Sequence, residues 1–96
     1  TVTICHSKTR ELDNITKNAD IVMTALGRAN FFDRNYFNKD SILIDIGMSL
    51  DEKGVISGDI DFKNVYDSVR AITPVPGGVG HITTSILLKQ VVDACE

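Results

Sequence analysis

Apolar positions in this chain come in short, dense runs rather than one long stripe. Asp20-Ile21-Val22-Met23-Thr24-Ala25-Leu26, closed by Gly27, is one run, and Ser41-Ile42-Leu43-Ile44-Asp45-Ile46-Gly47 is another. Arg70-Ala71-Ile72-Thr73, stopped by Pro74, is shorter, and Thr1-Val2-Thr3-Ile4-Cys5 alternates like a strand from the first residue. Short runs rich in β-branched side chains and ended by glycine predict strands buried on both faces of a sheet. Between them the spacing changes. Leu12, Ile15 and Ala19 recur at helical intervals and predict a short helix. Asp33–Phe37 fits one helical turn, Asp51-Glu52-Lys53-Gly54 reads as a turn, and Phe62, Val65, Tyr66 and Val69 share one helical face. From Ile82 to Cys95, the residues Ile82, Ile86, Leu87, Val91 and Ala94 form an apolar stripe with Lys89, Gln90 and Asp93 opposite. Strands alternating with helices predict an α/β fold, a Rossmann-like parallel sheet with helices on both faces. Ligands of such sheets bind beyond the carboxyl ends of the strands. That rule singles out His6–Arg10, Leu26–Arg28, Gly47–Ser49 and Pro74–Gly80.

Composition narrows the picture. Ninety-six residues make one domain. Folding of a chain this size removes roughly two-thirds of its surface from water, enough for one modest core. With 43% hydrophobic and 24% charged residues, intrinsic disorder is excluded. No apolar run approaches the roughly 20 residues of a membrane span, and no charged-then-apolar leader opens the chain. The net charge is −3 and the ten cations are dispersed, which argues against a nucleic-acid platform. Cys5 and Cys95 stand at opposite ends without metal-site or disulfide-framework spacing. Reduced, partly buried cysteines of a cytoplasmic protein are the plain reading. The strand-like start without Met is expected of a piece of a longer chain.

Thr73-Pro74-Val75-Pro76-Gly77-Gly78-Val79-Gly80-His81-Ile82-Thr83 is the most unusual segment. Two prolines force a stiff, extended approach. The glycines then permit positive φ and close backbone contact, and a helix N-terminus follows. Such a segment holds a ligand against bare backbone, or it is a Pro-Gly turn that caps a helix. Its length and backbone restriction favour the ligand. Ser7, Lys8, Thr9 and Arg10 offer donors where an NAD-type fold would place an acidic residue, which suits a 2′-phosphate, or else they form a solvated loop. Gly27 and Gly47 leave the strand tips open, or simply end the strands. His6 and His81 lack partners at ligand spacing, so no metal is expected. Asp45, inside an apolar strand, needs a hydrogen-bond partner and reads as a structural acceptor. Asp59 and Asp61 in Gly58-Asp59-Ile60-Asp61 read as turn or helix-capping residues.

Taken in order, His6-Ser7-Lys8-Thr9, Ile44-Asp45-Ile46-Gly47, Gly58-Asp59-Ile60-Asp61-Phe62 and Thr73–Gly80 resemble the bifunctional methylenetetrahydrofolate dehydrogenase/methenyltetrahydrofolate cyclohydrolase family. The resemblance covers the whole chain. It implies an enzyme of one-carbon metabolism that oxidises methylenetetrahydrofolate to the methenyl form with NADP, NAD being possible, and hydrolyses that product to the formyl form. It implies that residues 1–96 are part of the NAD(P)-binding domain, lacking its first strand and phosphate loop. The family's catalytic lysine lies in another domain, so no catalytic residue is expected here. By position, Ser7 matches a serine near the adenosine ribose or its 2′-phosphate. Met48 matches the residue whose backbone lies near the nicotinamide, and Thr83 a threonine close to that ring. Pro76, Gly77, Gly78 and Val79 match the loop that lies against the folate and the nicotinamide. Met48-Ser49 replaces the usual Ile-Asn, Leu50 stands where a cation is common, and His81-Ile82 replaces Pro-Met.

The partners so implied are tetrahydrofolate derivatives and a second copy of the chain, since the family tends to dimerise through this domain. Nucleic acid and membrane are not expected. The alternative is a non-catalytic Rossmann-like module that binds a nucleotide or a protein. A structural domain with an unliganded Pro-Gly turn is a third reading.

Overall fold

The apolar runs become strands only where a neighbour completes their hydrogen bonds. The computed structural model describes residues 1–95. In chain order they form α1 (Leu12–Lys17), β1 (Ile21–Thr24), a 3₁₀ turn (Arg34–Tyr36), β2 (Ile42–Asp45), β3 (Ser49–Leu50), β4 (Ile56–Ser57), α2 (Phe62–Val65), a second 3₁₀ turn (Tyr66–Ser68), β5 (Ala71–Ile72) and α3 (Val79–Ala94). β1, β2 and β5 lie side by side in that order and all run parallel. β3 and β4 form a separate antiparallel hairpin around the Asp51–Gly54 turn. The fold is α/β, as expected.

Register decides what each face of the sheet meets. Val22 pairs with Leu43 and Leu43 with Ile72, while Thr24 pairs with Asp45. Alternate residues point to opposite faces, so these five share one face. On that face Val22, Thr24, Leu43 and Asp45 are buried, and the core continues through Phe32, Phe37, Ile60 and Val65. Phe32 meets Phe31 and Tyr36 edge to face, with centroids 4.9 and 5.0 Å apart, the arrangement that ring quadrupoles favour. The opposite face carries Ile21 and Met23, which are 56% and 63% exposed, and Ile42 and Ile44, half-buried. Burial of the strands on both faces is therefore not met. One face of this sheet is bare because no helix among the described residues lies over it.

Two further expectations are corrected. Thr1–Cys5 forms no strand, and Val2 and Ile4 are 88% and 86% exposed. Alternation supplies a pattern, but a strand also needs a neighbour's donors and acceptors, and nothing among the described residues pairs with this segment. The second concerns the last helix. α3 begins at Val79, ahead of the apolar stripe, and contains no buried residue. Val79 at its start is half-buried, but Ile86 is 51% exposed, and Leu88 and Val92 extend the apolar surface beyond the expected stripe. The helix stands off the body. The radius of gyration is accordingly 14.9 Å, against about 12.5 Å for a compact domain of this length.

Candidate functional site

Asp45 ends β2 with its side chain on the core face, 3% exposed. Its Oδ1 accepts hydrogen bonds from the Thr24 hydroxyl (3.1 Å) and the amides of Gly47 (3.0 Å) and Asp59 (3.2 Å), while Oδ2 accepts from the amide of Ile60 (3.0 Å). Its own amide donates to the Thr73 hydroxyl at 2.9 Å. The carboxylate thus ties the ends of β1 and β2 to the segment after β4, and the amide ties in the end of β5. The structural-acceptor reading of Asp45 is met.

Asp59 departs from the sequence expectation. It is fully buried and caps no turn of its own. Its Oδ2 accepts from the Leu26 amide at 2.6 Å, and its Oδ1 accepts from the amides of Gly27 (2.9 Å) and Arg28 (3.0 Å). The donors lie in the loop after β1, 31 to 33 positions earlier, so no local pattern announces them. Asp61 does take the N-cap position of α2, through its backbone carbonyl, which accepts from the amides of Asn64 and Val65.

Glycine makes this double clasp possible. A Cβ on Gly47 would sit 2.1 Å from the Asp59 carboxyl carbon, and a Cβ on Gly58 would sit 2.1 Å from Oδ2 of Asp45. Each carboxylate therefore packs against the glycine beside the other. The Arg28 guanidinium, just beyond the clasped loop, rests over the Phe31 ring at 5.0 Å.

The proline-glycine segment leaves β5 at the same end of the sheet. The Val75–Pro76 peptide is cis, and Gly77 adopts φ +99°, a conformation that side chains disfavour. A Cβ on Gly78 would come within 2.3 Å of the Pro74 carbonyl oxygen, so the bend closes on itself. Gly78 then takes the N-cap position of α3 and no side chain caps that helix. The His81 amide donates to the Gly78 carbonyl at 3.1 Å, while the amides ahead of it precede the first full helical turn.

The expected site residues distribute as follows. Met48 follows β2, and Pro76, Gly77, Gly78 and Val79 follow β5, so both groups lie beyond the carboxyl ends of adjacent parallel strands. Thr83 is exposed within the first turns of α3. Ser7 is exposed in a turn built locally: the His6 amide donates to the Thr9 hydroxyl (2.8 Å), the Thr9 amide to the His6 carbonyl (2.9 Å) and the Lys8 amide to Nδ1 of His6 (3.0 Å). Those bonds tie Ser7 to its own loop rather than to the sheet. Cys5 is half-buried, while Cys95 is exposed, contrary to its expected partial burial. A cavity of about 330 Å³ opens beside the hairpin, between Ser57, Gly58, Phe62, Pro74 and Val75. Pro74 and Val75 bring one end of the strand-end segment to it, while Ser7, Met48, Thr83 and residues 76–79 do not line it. The strand-end surface is open: the missing side chains of Gly27 and Gly77 would both meet empty space. Backbone at both positions is therefore open to approach from solvent. Among the described residues, no helix is long and apolar enough to cross a membrane.

Comparison with known proteins agrees with this geometry. Residues 1–96 match the family model for the tetrahydrofolate dehydrogenase/cyclohydrolase NAD(P)-binding domain. The bifunctional protein FolD of Clostridium botulinum is 59% identical over 96 residues, which is 100% of this chain and 34% of that protein. Bifunctional protein FolD 1 of Desulfitobacterium hafniense is 56% identical with the same coverage. The chain therefore spans about a third of the length of the curated relatives it matches. Among solved structures, the FolD methylenetetrahydrofolate dehydrogenase/cyclohydrolase of Campylobacter jejuni superposes with a TM-score of 0.91 at 40% identity, covering 97% of this chain and 33% of that one. The Trypanosoma brucei enzyme, solved with NADP cofactor and inhibitor, gives 0.84 at 34% identity, covering 96% and 34%. The sheet is Rossmann-like, and the chain belongs to the tetrahydrofolate dehydrogenase/cyclohydrolase family as its NAD(P)-binding domain.

Proposed function

We propose that these 96 residues are the nucleotide-binding part of a cytoplasmic enzyme of one-carbon metabolism. That enzyme oxidises methylenetetrahydrofolate with NADP and hydrolyses the methenyl product to the formyl form. The observation that carries the reading is the glycine-rich bend from Pro74 to Gly80, braced by two prolines and open at Gly77, at the carboxyl end of a parallel strand. Bound NADP would supply the hydride acceptor. The chain's own residues orient it. Backbone of Met48 and the side chain of Thr83 flank the nicotinamide, while Pro76, Gly77, Gly78 and Val79 face the pterin. Ser7 donates to the 2′-phosphate. Hydride transfer asks for proximity and alignment rather than a local acid or base, which suits a surface without a catalytic side chain.

The architecture supports the same reading. β1, which carries the bare Ile21 and Met23, is an edge strand, and the first strand of a Rossmann-like sheet, outside these residues, would pair with it. The hairpin exposes Leu50, Val55 and Ile56, an apolar surface suited to a second copy of the chain.

Three measurements test the proposal. The 96-residue chain alone should show little or no turnover, since the lysine-bearing domain and phosphate loop implied by the family are not in it. The full-length protein should reduce NADP only when given methylenetetrahydrofolate. Folate-independent reduction would overturn the substrate assignment, and NADP binding without turnover would leave the non-catalytic module. In the same full-length protein, Ser7→Ala should raise KM for NADP about tenfold, the loss of one charge-assisted hydrogen bond, and barely change KM for NAD. An equal rise for both cofactors would remove Ser7 from the 2′-phosphate.

A further inference from the structure

The two loops that leave β1 and β2 are shaped from behind by one buried carboxylate. Asp59 collects three successive amides, those of Leu26, Gly27 and Arg28. Successive N–H groups rarely converge on one point, and here Gly27 turns through φ +73° to let them do so. The same carboxyl group touches Gly47 so closely that no other residue fits there. One side chain therefore sets both the curvature of the loop after β1 and the seat of the loop after β2. The outer sides of these loops are the open ones: Gly27 faces empty space and Met48 is 60% exposed.

We infer that Asp59 is a positioning residue for the nucleotide, holding the Leu26–Arg28 and Gly47–Met48 backbones in the form that receives it. The inference rests on the proposed function for its ligand and extends it to a residue that touches no ligand. It separates two reactions that share a pterin. Oxidation needs the nucleotide loops, whereas hydrolysis of the methenyl form moves no electrons and needs no nucleotide. Disturbing Asp59 should therefore weigh on the first far more than on the second.

Asp59→Asn is the informative change, because it keeps shape and loses one acceptor. An amide NH₂ would oppose either the Leu26 N–H or the pair from Gly27 and Arg28. In the full-length protein, the ratio of dehydrogenase to cyclohydrolase kcat/KM is expected to fall about tenfold, chiefly through KM for NADP. A proportional loss of both activities with an unchanged ratio would mean that Asp59 only holds the domain together, and would overturn the inference. Should the variant not accumulate as folded protein, hydrogen exchange in the unaltered protein carries the test. Exchange at Gly27, Arg28 and Met48 should slow on saturation with NADP, and identical rates with and without NADP would overturn it. Absence of NADP-dependent oxidation in the unaltered enzyme would instead defeat the proposed function, a separate outcome.

Discussion

Asp45→Ala should unfold the nucleotide domain or lower its melting temperature by at least about 10 °C. The side chain accepts from Thr24, Gly47, Asp59 and Ile60 in a site with almost no water access. Truncation leaves those donors unpaired at roughly 1–3 kcal/mol each, before the lost packing is counted. A domain is typically stable by only about 5–15 kcal/mol. The damage would spread, because the lost acceptor joins the tip of β1 to the segment beyond β4. Calorimetry or thermal circular dichroism of the full-length protein reads the effect. A shift under about 5 °C would show that water replaces the carboxylate and that the network is less closed than its geometry says.

Gly78→Ala is expected to cost activity more than stability. The new methyl would lie 2.3 Å from the Pro74 carbonyl oxygen, and the obstacle is backbone between two prolines rather than a side chain that can swing away. The bend must open. Catalysis by alignment is unforgiving: displacement by about 1 Å can reduce the rate roughly 100-fold. The dehydrogenase kcat/KM should fall by about that factor, while the melting temperature drops by only a few degrees, since the bend is exposed at Pro76 and Gly77. Activity within fivefold of the unaltered enzyme would detach this bend from the reacting centre.

What the residues disclosed in advance follows the range of the interactions concerned. β1, β2 and β5 were legible because dense β-branched runs ended by glycine or proline are local signals, and α3 was legible from its spacing. The role of Asp45 could be read because a carboxylate within Ile42–Ile46 has few alternatives to being an acceptor. Asp59 could not. Gly-Asp-x-Asp has the chemistry of a turn, and its partners more than thirty positions away come into reach only once the strands have paired. The hairpin strands escaped because two residues each carry no periodicity, although their turn was evident. Thr1–Cys5 misled for the converse reason: its pattern is local, but the pairing that makes a strand is not. The bend was recognisable as chemistry from its glycines and prolines, whereas its closure of Gly78 onto Pro74 is a property of the folded backbone.

The crossed packing of Gly47 on Asp59 and Gly58 on Asp45 limits how this protein can diverge. A methyl added at either glycine is blocked by the opposite carboxylate, and shortening that carboxylate to make room strands several amides. Enlarging either glycine or shortening either carboxylate therefore cannot be tolerated first and compensated later. The four positions form a locked neighbourhood, and selection acting on random libraries should return them as an intact set.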